Sequence, residues 1–139
     1  ARRLNDASVA FIYKRRDPSE HNVSEALSMA GRVKDKHVVI VDDIIDTAGT
    51  LVRAANYIRD QGALHIVACA THPVLSEPAV DRIRESVLRE VIFADTIAIS
   101  EDKCQRSGGK ISVLTVAPLL ADVMQRIHEG RSVGELFDE

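Results

Sequence analysis

Three carboxylates fall within five residues, at Asp42, Asp43 and Asp46, and Thr47-Ala48-Gly49-Thr50 follows them directly. Like charges this close repel and raise one another's pKa unless something relieves them. Two kinds of partner do so: hydroxyl groups that donate hydrogen bonds to carboxylate, and a hard divalent cation such as Mg²⁺. The small-residue stretch asks for the opposite charge. Backbone N–H groups at a helix amino terminus point at an anion, Gly49 lets the anion approach the chain, and the helix dipole adds to the attraction. A ligand with a phosphate at one end and a diol at the other fits both halves, and a ribose phosphate is such a ligand.

The elements around this stretch must hold it at a sheet edge. Val38-Val39-Ile40-Val41 reads as a strand buried on both faces, as in a parallel sheet, ending abruptly at Asp42. Residues 51–58 have helical spacing, the helix runs on to residue 61, and Gly62 is its carboxyl cap. Residues 63–70 form the next buried strand, which fits a right-handed parallel crossover. Thr71-His72-Pro73 then lies at that strand's carboxyl edge, where ligands of α/β sheets bind, so His72 is either a ligand contact or a loop histidine held by backbone bonds.

The flanking segments read more simply. Residues 1–6 are the tail of a helix and 8–13 a short strand, and 14–22 are a polar loop around Pro18. Residues 23–31 are extended or partly helical, and 31–36 turn into the central strand. Downstream come a helix over 78–86, a strand over 90–93 ending at Ala94-Asp95-Thr96, and a polar loop over 101–110. A strand over 111–116 follows, then a helix from Pro118 through Ile127 that stops near Gly130.

With 139 residues there is chain for one domain, 1–139, able to bury roughly two-thirds of its unfolded surface. A formal net charge of −3 argues against nucleic acid and anionic membranes as partners. The absence of Trp and an aromatic share of 4% argue against base-stacking platforms. Cys69 and Cys104 show no metal or redox spacing and read as a core and a surface thiol of a reducing compartment. His21, His37, His65 and His128 have no ligand spacing. No signal peptide, membrane span or repeat is visible, and the opening Ala1 fits either a fragment or a processed product.

Residues 38–51 resemble the phosphoribosyl pyrophosphate (PRPP) motif shared by type I phosphoribosyltransferases and the ribose-phosphate pyrophosphokinases, or PRPP synthetases. Lys14-Arg15-Arg16, Asn22-Val23-Ser24-Glu25, Ala70-Thr71-His72-Pro73-Val74, Ala94-Asp95-Thr96-Ile97 and Ser132-Val133 through Leu136-Phe137 resemble the carboxyl-terminal half of the synthetases, in order and spacing. That resemblance implies an α/β fold of type I phosphoribosyltransferase kind, a mostly parallel sheet flanked by helices. It implies a cytoplasmic, Mg²⁺-using homo-oligomeric enzyme that moves the diphosphate of ATP to the 1-hydroxyl of ribose 5-phosphate, giving PRPP and AMP.

On the same resemblance Thr47, Ala48, Gly49 and Thr50 hold the 5-phosphate, and Asp42 and Asp43 take the ribose hydroxyls or the metal bridging them. Asp46 accepts from the sugar or fixes the loop. Lys14, with Arg16, closes over the transferring diphosphate, although such a basic run also serves as a plain solvated face. The tail with Ser132 lies at a regulatory phosphate or nucleotide site, or merely packs Leu136 and Phe137; Gly134 stands where many relatives carry a serine. Because the adenine pocket and a metal-binding histidine belong to the amino-terminal half, the isolated chain is expected to bind ribose 5-phosphate or PRPP weakly and to catalyse little.

Other readings are weaker. A strand tipped with acids occurs in unrelated α/β metal sites and in solvated loops. The Asp-Asp-x-x-Asp pattern of prenyl synthases needs a helix under the acids, whereas a β-branched run precedes them here. A phosphoribosyltransferase consuming PRPP should carry a base-recognising hood, for which no segment is found. Intact Lys14 and an intact phosphate loop count against a non-catalytic regulatory subunit.

Overall fold

Among the described residues four strands run parallel in one sheet, each laid beside the one before it in the chain. The computed structural model describes residues 7–15 and 26–136. An antiparallel pair, β1 (Phe11–Arg15) and β2 (Ala26–Ala30), comes first. Then follow β3 (His37–Ile45), α1 (Gly49–Asp60), β4 (His65–Pro73), α2 (Ala79–Glu85), β5 (Glu90–Ala94), α3 (Glu101–Arg106), β6 (Ile111–Leu114), α4 (Ala117–His128) and a 3-10 turn (Gly134–Leu136). This is the expected α/β architecture: a parallel sheet flanked by helices.

Apolar periodicity decides which helices carry the core. Leu51, Ala55 and Ile58 of α1 and Ala79, Val80 and Ile83 of α2 are buried at three- and four-residue spacing. They close over Ile66, Ala68, Val91 and Phe93 of the inner strands β4 and β5. Neither α3 nor α4 buries a residue fully.

Four expectations need correction. The run 38–41 is not buried on both faces: among the described residues β3 is an edge strand, and Val39 and Val41 are 49% and 78% exposed. Nor does the strand end at the acids. Its ladder with β4 continues through Asp42↔Ala70 to Ile45↔Pro73, so Asp42 and Asp43 are strand residues.

The loop assigned to 14–22 does not include its first two residues: Lys14 and Arg15 complete β1, in register with Leu27 and Ala26 of β2, and 16–22 lie outside the described residues. Of the segment 23–31, read as extended or partly helical, residues 26–30 take the extended form as that second strand. Gly31 lets it end there: at φ 121° an added Cβ would stand 2.7 Å from the Ala10 Cβ, a separation no side chain tolerates.

The polar loop assigned to 101–110 holds the helix α3. Ser100 caps it, its hydroxyl accepting from the Lys103 N–H at 3.4 Å, and Glu101 and Asp102 complement the dipole. Arg106 fastens α3 to the front of α2 through Glu77 at 2.9 Å and Asp81 at 3.0 Å. That bond from the guanidinium holds the Glu77 carboxyl below its ordinary range.

Ser107 follows with no exposed surface, its hydroxyl donating to the Cys104 carbonyl at 2.6 Å and accepting from the Ile111 N–H at 3.2 Å. Ser107→Ala strands both backbone groups in the interior. It should cost about 1–3 kcal/mol in urea unfolding; a loss below about 0.5 kcal/mol would contradict this role.

Candidate functional site

The turn from β3 into α1 is where the sheet edge becomes a helix amino terminus. Ile45 is buried and anchors the end of the strand, while Asp46 and Thr47 stand exposed. Ala48 is buried, with φ 57° and ψ 4°, a left-handed conformation that costs a non-glycine residue roughly 1–2 kcal/mol. Its carbonyl accepts the first helical bond, from the Val52 N–H at 3.0 Å. No side chain caps α1, so the amides of its first turn stay available to a ligand.

These residues line a cleft of about 230 Å³ formed by Asp42, Ile44, Ile45, Asp46, Thr47, Ala48, Gly49, Thr50 and Leu51. Asp43 is not among the lining residues, as expected for a neighbour of Asp42 on a strand, where successive side chains point to opposite faces. One Asp42 oxygen accepts from the Asp43 N–H at 3.0 Å, and one Asp43 oxygen accepts from the Ile44 N–H at 2.8 Å. A second, more apolar recess of about 410 Å³ shares Asp42 and Thr50 with the cleft and extends between β3 and the β1–β2 pair.

The other predicted residues divide by place. His72 lies opposite Ile44 in the β3–β4 register but does not line the cleft. The Thr96 hydroxyl donates to the Thr71 carbonyl at 2.6 Å, so at 2.9 Å from His72 Nδ1 it can only accept. In neutral His72 the proton therefore sits on Nδ1 and leaves Nε2 as an acceptor. Asp95 is fixed nearby: bonds from the Thr115 hydroxyl and the Val116 N–H hold its carboxyl below the usual range.

Lys14 is a residue of β1, and Arg16 lies outside the described residues, as do residues 22–25 and Phe137. Ser132 is exposed on the tail, where its carbonyl accepts from Arg126 at 3.1 Å. Leu136 is half-buried.

Sequence reading overlooked Arg82. From α2 its Nη1 donates to the Thr47 carbonyl at 2.9 Å, across 35 residues of chain. No local pattern announces such a bond.

No three His, Cys, Asp or Glu side chains gather around a metal-sized space among the described residues. No helix among them is long and apolar enough to cross a membrane.

Comparison with known proteins gives consistent matches. Residues 10–138 match the model of the phosphoribosyl synthetase-associated domain. A ribose-phosphate pyrophosphokinase of Caldanaerobacter subterraneus subsp. tengcongensis is 51% identical over 137 residues, covering 99% of this chain and 42% of the relative. One from Bacillus caldolyticus is 44% identical over 141 residues, covering 99% and 43%. The crystal structure of phosphoribosylpyrophosphate synthetase from Mycobacterium smegmatis superposes with a TM-score of 0.78 at 38% identity, over 93% of this chain and 39% of that one. The chain thus spans about two-fifths of the length of these relatives. With nearly its whole length matched, this chain belongs to the phosphoribosyl synthetase-associated domain family.

Proposed function

We propose that the chain is the ribose 5-phosphate-binding part, a single domain over 1–139, of a cytoplasmic, homo-oligomeric PRPP synthetase, and that it forms the carboxyl-terminal half of that enzyme. The order of its motifs supports the placement. The reaction moves the diphosphate of ATP to the 1-hydroxyl of ribose 5-phosphate, leaving AMP, with ATP held largely by the remainder of the enzyme. The isolated domain then binds the sugar phosphate weakly and turns little of it over.

The observation that carries this reading is that Asp42, Asp46 and the turn Thr47–Thr50 line one and the same cleft. The 5-phosphate sits on the amides of Ala48, Gly49 and Thr50 and the Thr50 hydroxyl, where the α1 dipole favours negative charge. The Asp42 carboxylate, exposed and with one oxygen engaged by Asp43 N–H, accepts from the ribose hydroxyls through the other. Asp46 fixes the far side of the turn.

Mg²⁺ suits this donor set. It would be held by one or two carboxylates plus substrate oxygens and water rather than by a full protein cage, and Asp42, the carboxylate that lines the cleft, would supply the protein oxygen, with Asp43 turned to the other face of the strand. Bound there it would neutralise charge between sugar hydroxyls and diphosphate. Lys14 on β1, with Arg16, supplies positive charge on the diphosphate side. Nothing covalent is asked of these side chains, so the rate comes from alignment and charge neutralisation.

Calorimetric titration of the chain with ribose 5-phosphate, with and without Mg²⁺, tests this. Asp42→Asn should weaken binding by roughly tenfold to a hundredfold, the worth of hydrogen bonds to a charged group. The thermal midpoint should stay put, because Asp42 is exposed. Equal affinities for the two proteins would refute the assignment.

A further inference from the structure

We propose that Arg82 is the positioning residue of the phosphate turn, setting the direction of the Ala48 N–H from behind the cleft. The inference rests on the ribose 5-phosphate reading of that cleft. In a planar trans peptide the carbonyl and the following N–H point in opposite directions. Arg82 Nη1 holds the Thr47 carbonyl at 2.9 Å, which aims the Ala48 N–H the other way. Ala48 and Thr47 line the cleft, whereas Arg82 does not.

Two further observations fit a clamp. Ala48 is kept left-handed without being glycine, so its neighbours must fix a conformation that the residue itself resists. Gly49 leaves room for the guanidinium: an added Cβ would stand 3.3 Å from Arg82 Nη1 and 3.9 Å from its Cζ. The positive charge is thereby seated against the first residue of α1, at the helix end that already attracts anions. Lysine could supply that charge but not the planar, pre-set fork.

The test uses the 139-residue chain as Arg82→Met and Arg82→Lys, with ribose 5-phosphate as the probe. In the ligand-free protein, amide hydrogen exchange at Val52, whose N–H donates to the Ala48 carbonyl at 3.0 Å, should quicken at least fivefold in Arg82→Met, roughly the loss of one charge-assisted bond. Exchange at Val91 and Phe93 in the core should stay constant, which separates the clamp from general destabilisation. Affinity for ribose 5-phosphate should fall roughly tenfold in Arg82→Met, with part of the loss recovered in Arg82→Lys.

Unchanged exchange at Val52 in Arg82→Met overturns the clamp, whatever the ligand does. Faster exchange with unchanged affinity overturns its role in positioning. A parent chain that fails to bind ribose 5-phosphate overturns the reading of the cleft instead, while the exchange rates still decide the clamp.

Discussion

Gly49→Val is expected to reduce ribose 5-phosphate affinity by about a hundredfold or more while leaving the domain folded. Gly49 is the first residue of α1, and no left-handed φ demands glycine there. A single Cβ needs only a few tenths of an ångström from Arg82, whose Nη1 would be 3.3 Å away, and would meet the Thr47 hydroxyl oxygen at 3.9 Å. Valine adds two methyl groups with nowhere neutral to go. Turned outward, they cover the amides proposed to hold the phosphate; turned inward, they displace the guanidinium from the Thr47 carbonyl. Either way several hydrogen bonds to an anion are lost together, and each is worth about 1.5–3 kcal/mol.

Gly49→Ala should sit between the two, because its one methyl is nearly accommodated. Valine at a helix position is not worse than glycine, so circular dichroism melts of Gly49→Val should match the parent within a few degrees. Titration calorimetry on the folded variant decides the matter; parent-like affinity would remove the phosphate from this turn.

The largest effect on stability is expected at the centre of the sheet. Phe93 has no exposed surface, lies on β5 between β4 and β6, and is in register with Ala70 and Val113. Phe93→Ala deletes a ring from an interior with no water to fill the space, at a cost of about 3–5 kcal/mol. A domain of this size has roughly 7–20 kcal/mol in total, so the variant stands close to unfolding at physiological temperature. Urea unfolding should show the midpoint lowered with the slope kept. A loss under about 1 kcal/mol would mean that the ring is not buried in solution.

The turn from β3 into α1 was legible because its pattern is local. Small residues, a glycine and a helix start fall within a few positions, and folding adds little to what their order states. The neighbouring strand was half legible. Four β-branched or apolar residues in a row do mark a parallel strand, but composition cannot say whether another strand lies beyond it. Asp42 and Asp43 look like the end of a strand because charge is rare inside one. At an exposed edge that cost vanishes, and the ladder with β4 carries on through them.

Helix α3 was missed for the opposite reason. It buries no residue fully, so it has no apolar period, and its polar residues running into Gly108-Gly109 read as a loop. Strand β2 hides in the same way, since Ser28 interrupts its apolar run and its pairing partner β1 lies across a polar stretch. Arg82 lies beyond any local rule, because a bond spanning 35 residues exists only once α2 has docked.

The strictly sequential strand order bears on how the domain assembles. In many parallel sheets a strand made late must be threaded between two made earlier, and the growing structure waits with a gap at its centre. Here each new strand finds its neighbour already in place, and each strand-to-strand crossover closes over a short length of chain. The entropic toll of joining distant parts is therefore low at every step. The sheet can grow outward from one side, one strand and helix at a time, with β3, the first of the four in the chain, as its starting edge.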